Sequence, residues 1–272
     1  MNYRHVYHAG NFADCFKHAL LVALIEALAR KPAPFYVLDT HAGAGRYDLN
    51  SKQARQTGEA DKGIYVLLQR QSPELRRYLG LVESLGLYPG SPLLLRALLR
   101  PVDHISCCDV GAEEVELLRQ AFHNDAQVTV HQRSGWEALG ALLPPKEKRG
   151  LVFIDPPFES RDEFSSLADG LFRGYRRFAR GIFAAWYPIK QLSAVRSFMA
   201  NMQALPIRDI IAIEIRISKP FDRSRLNGCG LLVVNPPFQF DDRARLIGNA
   251  VLDDLSSTEN ESRTNVYRIA DE

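Results

Sequence analysis

Asp155-Pro156-Pro157-Phe158 carries the most specific chemistry in this chain. The tetrapeptide closes the apolar run Leu151-Val152-Phe153-Ile154, and a short apolar run ended by a turn signal reads as a buried strand. The acid then stands at the carboxyl end of that strand, where open α/β sheets place their ligands. Such a group suits transfer to a conjugated nitrogen, for example the exocyclic amine of adenine. The nitrogen lone pair is delocalised into the ring, so it attacks poorly until acceptors hold its hydrogens and favour a tetrahedral geometry. Asp155 supplies one acceptor. Pro156 supplies another through its carbonyl, which proline keeps while it lacks an N–H and fixes φ. Phe158 offers a flat face on which a base could stack, worth about 1–3 kcal/mol. The same residues also fit a strand that ends in a proline turn with an incidental acid and aromatic. A second element is needed to choose.

That element is Phe35-Tyr36-Val37-Leu38, another apolar run, which enters Asp39-Thr40-His41-Ala42-Gly43-Ala44-Gly45. Glycine lets a backbone approach a ligand closely and adopt positive φ. A lone Gly-x-Gly is more often a structural turn. Here an acid precedes Gly43, and no Lys-Ser or Lys-Thr pair follows the glycines, which argues against a phosphate-gripping loop. The ligand expected is a nucleoside with a charged, non-phosphate tail.

Together, Asp39-x-x-x-Gly43-x-Gly45 and Asp155-Pro156-Pro157-Phe158 resemble the S-adenosylmethionine-dependent amino-methyltransferases. More narrowly, Tyr3-Arg4-His5, His8-Ala9-Gly10-Asn11, Asp14, Lys17-His18, the run from Asp39 to Tyr47, and Tyr88-Pro89-Gly90-Ser91-Pro92 resemble the bacterial 23S ribosomal RNA adenine-N6 methyltransferase family. Some members of that family were first labelled competence or DNA-utilisation proteins. The likeness covers most of the chain. It implies S-adenosyl-L-methionine as cofactor, with Lys17, His18 and His41 around its methionine end and Ser91 nearby. Gly43, Ser134, Gly135 and Asp155 would also border the cofactor, and Asp109 would accept its ribose hydroxyls. Tyr3 and His5 would line the substrate path and could order when substrate arrives. Lys17 would pair with a carboxylate, a contact that separates the cofactor from a neutral nucleoside; otherwise it reads as a solvated charge on an amphipathic helix. Two positions depart from the family pattern. Asp109 stands where Glu is usual, and Ser134 where an Asp usually meets the cofactor adenine, so weaker cofactor binding is expected.

The resemblance implies direct in-line transfer to the N6 of an adenosine that is flipped or already unpaired, since a stacked base cannot reach such a pocket. Protein-free 23S rRNA or an early assembly intermediate is the expected partner. A DNA adenine-N6 methyltransferase would use the same residues. A non-catalytic RNA-binding factor with a residual cofactor pocket would explain Asp109 and Ser134, although the intact Asp155-Pro156-Pro157-Phe158 argues against decay. Glutamine-directed protein methylation favours Asn over Asp at the first position.

Positioning these groups requires a doubly wound α/β sheet. Strands are predicted near 35–39, 104–109, 127–131, 150–154, 181–187, 209–217 and 228–235, with helical patterns between most of them. A helix is predicted over 12–30, with Asn11 as its N-cap. The fold expected is a Rossmann-like class I methyltransferase with a seven-stranded, mostly parallel sheet, as a single domain over 1–272. About sixty residues separate the glycine turn from the second strand, more than a crossover needs. This marks 47–92 as an inserted helical subdomain, with Ser72-Pro73 and Ser91-Pro92 as helix starts.

Net charge is only +2 over 272 residues with 46% apolar content, so any nucleic-acid surface must be local. Two clusters qualify, each readable also as a solvated face: Lys219, Arg223 and Arg225 between the last two predicted strands, and Arg173, Arg176, Arg177 and Arg180. Asn235-Pro236-Pro237-Phe238 imitates the catalytic motif but reads as a turn away from the cofactor. His5, His8, His18 and His41 could suggest a metal, yet His5 and His8 lack partners at ligand spacing and methyl transfer from a sulfonium needs none. Cys15, Cys107, Cys108 and Cys229 form no Cys-x-x-Cys pair. A reduced, cytoplasmic chain is expected, a monomer without a membrane span or a signal peptide.

Overall fold

A computed structural model describes residues 5–160, 162–217, 225–255 and 264–271. After a 3-10 turn at His5–Tyr7 come helix α1 (Phe12–Ala29) and strand β1 (Tyr36–Asp39). A small ribbon, β2 (Arg46–Tyr47) and β3 (Tyr88–Pro89), brackets α2 (Lys52–Thr57), α3 (Ile64–Arg70) and α4 (Arg76–Leu85). Then follow α5 (Ser91–Leu98), β4 (His104–Asp109), α6 (Ala112–Ala121), β5 (Val128–Gln132), α7 (Gly135–Ala141), β6 (Gly150–Ile154) and α8 (Glu163–Arg177). The chain continues through β7 (Ile182–Ile189), α9 (Leu192–Ala204), β8 (Ile210–Arg216), β9 (Gly228–Val234), α10 (Phe240–Leu255) and β10 (Asn265–Ala270).

The main sheet runs β10-β8-β9-β7-β6-β1-β4-β5. Strands β5, β4, β1, β6 and β7 are mutually parallel, whereas β9 runs against β7 and β8, and β10 against β8. Every residue of β1 and β6 is buried, as strands covered on both faces must be. The chain winds outward from β1 in one direction and from β6 in the other, which makes the crevice between them the topological switch point. All seven predicted strands are present. The sheet has eight strands rather than seven, because β10 adds an antiparallel edge. Its alternation is weak, with three of six residues exposed, and Tyr267 joins it to β8 by donating to Glu214 Oε1 at 2.8 Å.

Helix α1 starts as predicted, with the Asn11 side chain accepting from Asp14 N at 2.9 Å. It is buried on nearly every side, between α10, α5 and α4. Lys17 therefore lies inside the protein at 4% exposure, which corrects its reading as a solvated charge. Of the two predicted serine starts, Ser72 holds the N-cap position of a 3-10 turn at Pro73–Leu75 with Pro73 first in the turn, but neither serine makes a capping bond. Ser72 donates instead to Asp254 Oδ1, and Gly90 takes the N-cap position of α5, leaving Ser91 Oγ to bond Asp39 Oδ2 at 2.7 Å.

Because α8 runs back along the parallel sheet, Arg176, Arg177 and Arg180 reach the edge opposite Asp155. Arg177 donates to Leu143 O, and Arg176 lies over the Phe172 ring. These arginines do not line the catalytic edge. Asn235 likewise sits at that far edge, donating to Ala179 O and Gly181 O, with Phe238 84% exposed. It forms a turn. No helix among the described residues is long and apolar enough to cross a membrane, and all four cysteines are free and buried.

Candidate active site

Register pairs Asp39 with Phe153 across β1 and β6, so the glycine turn and Asp155 leave adjacent strands at the switch point. Thr40 staples the two together: its N–H and its hydroxyl both donate to Phe153 O, at 3.0 and 2.9 Å. Gly43 needs its positive φ of 59°, which L side chains rarely adopt, and its N–H donates to Asp109 Oδ2 at 2.9 Å. Gly111 N donates to Asp109 Oδ1 at the same distance. The Asp109 carboxylate is thus aimed at the turn from the end of β4. Gly135 opens α7 directly against this turn, and a Cβ there would stand 2.7 Å from His41 Cε1 and closer still to Thr40 O. Ser134 precedes it at the N-cap without a side-chain capping bond.

The four histidines do not converge. His5 Nε2 pairs with Asp14, His8 with Glu59, His18 with the Tyr88 hydroxyl and His41 with the Thr40 hydroxyl. Burial pushes His41 down to about 4, and burial together with the nearby Lys17 charge pushes His18 down to about 3. Both are neutral near pH 7. Among the described residues, no group of three His, Cys, Asp or Glu side chains could hold a metal.

Lys17 Nζ lies 2.6 Å from Asp155 Oδ2 and 2.9 Å from Asp14 Oδ1, and 5.6 Å above the Trp186 ring. Burial opposes its charge, but the two carboxylates outweigh burial and hold Lys17 well above its ordinary range. Asp39 has the opposite balance. Burial, reinforced by the Asp155 charge and opposed by the Ser91 hydrogen bond, pushes it up to about 7. Among the described residues its Oδ1 is buried without a hydrogen-bond partner.

Pro156 is buried and Phe158 half-buried. The Phe158 ring meets Phe164 and Trp186 edge-on, with centroids 4.9 and 5.8 Å away, a favoured aromatic geometry. The motif aromatic is therefore packed against neighbours rather than freely presented. Sequence reasoning missed Trp186. One step beyond the last register pair of β6 and β7, Ile154 with Ala185, it falls beside Asp155, and only strand pairing reveals this. Asp14 appeared in the family motif without a role. Tyr3, Lys219 and Arg223 lie outside the described residues. Arg225 is exposed between β8 and β9, a connection that leaves the same sheet edge as Asp155.

This arrangement makes the chain an α/β protein of the doubly wound type, with its polar side chains gathered at the switch point. More narrowly, it belongs to the family described as ribosomal RNA large subunit methyltransferase D, RlmJ, whose model matches residues 32–268. It is 39% identical over 249 residues to ribosomal RNA large subunit methyltransferase J of Escherichia coli, covering 89% of each chain. The protein of the same name from Haemophilus influenzae is 36% identical over 256 residues, covering 91% of each. A crystal structure of protein LPL1258 from Legionella pneumophila superposes with a TM-score of 0.84 at 31% identity, covering 96% of this chain and 97% of that one.

Proposed function

We propose that this chain methylates the exocyclic N6 of one adenosine in 23S rRNA, with S-adenosyl-L-methionine as donor. The observation that carries the reading is Asp155 at the switch point, beside Pro156 and gripped by Lys17 through Oδ2. Oδ1 of Asp155 and the Pro156 carbonyl then serve as the two acceptors for the amine hydrogens.

The residues present fit the donor. An orphaned buried oxygen on Asp39 suits a ligand that brings a cation or a hydrogen-bond donor. Gly43 and Gly135 let the turn pack closely against Tyr47 and the start of α7, a close-approach backbone of the kind that suits a nucleoside, and the Asp109 carboxylate at the end of β4 suits ribose hydroxyls. Lys17, His18, His41, Ser91, Ser134 and Asp155 complete the set assigned to the cofactor. When bound, the cofactor supplies an electrophilic methyl group and the driving force. The protein supplies orientation and exclusion of water. Asp155 and Pro156 hold the amine so that its lone pair leaves ring conjugation, while Phe158, braced by Phe164 and Trp186, stacks the flipped adenine. Neutral His18 and His41 add hydrogen-bonding groups to the pocket without repelling a sulfonium.

Tyr3 and His5 border the substrate path, and Lys219, Arg223 and Arg225 bind RNA phosphates. The helices of 47–92 act as an inserted substrate-side subdomain of a monomeric cytoplasmic enzyme. Flipping is cheapest where stacking is weak, so protein-free 23S rRNA or an early assembly intermediate is preferred over mature subunits. Incubation with tritiated donor, followed by nucleoside mass spectrometry, tests this. The expected product is N6-methyladenosine in 23S rRNA. Preferential labelling of duplex DNA, another methylated atom, or equal labelling of intact large subunits would each overturn the corresponding part.

A further inference from the structure

We propose that Asp14 is a positioning residue for this transfer: by sharing Lys17 with Asp155, it determines which oxygen of Asp155 remains for the incoming amine. The inference rests on the amino-methyl transfer reading and adds a residue to it.

Asp14 collects donors from three places. Its Oδ1 takes Lys17 Nζ from one turn further along α1, and its Oδ2 takes the Gly10 N–H at 3.0 Å and His5 Nε2 at 2.9 Å. The side chain is 3% exposed, so water does not compete for it. A lysine ammonium carries three donors on a flexible four-carbon stem and would rotate about a single carboxylate. With Asp14 on one side, Asp155 on the other and the Trp186 face beneath, that freedom is lost. Among the described residues, Lys17 then meets Asp155 at Oδ2, 2.6 Å away.

The electrostatics agree with the geometry. Lys17 is faced by Asp14, Cys15 and His18 on its own helix, His5 from the N-terminal turn, Asp39 from β1, Tyr47 from β2, Asp155 just past the end of β6 and Cys229 from β9. Of these, Asp14 contributes the largest favourable interaction with the ammonium, ahead of Asp155. Asp14 itself is held well below its ordinary range, because His5 and Lys17 outweigh the cost of its burial. Removing its charge without its shape leaves Lys17 with Asp155 as its one ion-pair partner among the described residues and frees the ammonium to swing between both oxygens of Asp155.

The test uses Asp14→Asn, which keeps an oxygen for the Gly10 N–H, in the full-length protein. Lys17 ionisation is followed by NMR of ε-carbon-labelled lysine, which needs no RNA. Single-turnover methyl transfer is measured alongside it, in backgrounds with Lys17 and with Lys17→Met. Lys17 should titrate at lower pH in Asp14→Asn than in wild type. Transfer should fall on the order of 100-fold, as expected for loss of positioning near the reacting atoms, with RNA affinity retained. In the Lys17→Met background, adding Asp14→Asn should change transfer no further. An unshifted Lys17 titration, or an equal loss of transfer with and without Lys17, would overturn the proposal and leave Asp14 a structural residue. Wild-type protein that fails to methylate adenosine would instead overturn the functional reading on which it rests.

Discussion

Gly135→Ala tests the cradle between α7 and the glycine turn. The added methyl would lie 2.7 Å from His41 Cε1 and 2.9 Å from His41 Nε2, with the Thr40 carbonyl nearer still. Ordinary carbon contacts lie at about 3.5–4.0 Å, so the start of α7 and the turn must separate by about 1 Å. Neither side yields readily. Thr40 is bonded twice to Phe153 O, and the His41 ring is held by the Thr40 hydroxyl and the Trp136 edge. Overpacking of this kind costs about 1–3 kcal/mol, and the melting temperature should fall by about 2–12 °C. Because the displaced atoms are those assigned to the cofactor, affinity for S-adenosylhomocysteine should fall at least about tenfold, or 1.4 kcal/mol. Calorimetric titration and thermal unfolding measure the two effects. Gly80→Ala is the control: a Cβ there meets nothing within 4 Å, and alanine inside α4 should stabilise by roughly 0.5–1 kcal/mol. A Gly135→Ala protein that binds and melts like wild type would refute the cradle.

Asp155→Ala should abolish methyl transfer while leaving S-adenosylhomocysteine binding largely intact; lost binding with retained turnover in the same two assays would reverse the assigned roles. Asp39 has a folded value near 7 against 3.8 for the free side chain. Its contribution to stability is fully present below about pH 4 and is lost as pH rises through 7. Denaturant unfolding across that window should therefore decline more steeply for wild type than for Asp39→Asn, and parallel curves would contradict the burial argument. Arg225→Ala should weaken RNA binding and lower the slope of log affinity against log salt by about one, because one phosphate contact is removed. An unchanged slope in filter-binding assays would take Arg225 off the RNA path.

Elements with a strong local signal were legible from the chain alone. Asn11 capped its helix as read, and all seven predicted strands formed within a few residues of their expected bounds, because continuous apolar runs have few other ways to be buried. The tetrapeptide after β6 and the glycine turn after β1 were placed correctly at strand ends for the same reason. The eighth strand was not read, since an edge strand needs only one partner and its polar alternation resembles a tail. Ser72 and Ser91 satisfied the local rule for helix caps, yet distant Asp254 and Asp39 offered stronger partners.

Local chemistry and hydrophobic periodicity specified which groups this protein holds and the strands that carry them. Tertiary packing alone settled how those groups meet. Asp155 and Lys17, 138 positions apart, are joined because α1 lies over the switch point with the face that carries Lys17 buried. Trp186 stands beside them through strand pairing, while Arg176 and Arg177 are carried to the far edge by the direction of α8, and Arg173, a turn earlier, donates to Trp136 O. Contacts of that kind depend on which elements are neighbours, and neighbourhood is a property of the assembled sheet rather than of any segment within it.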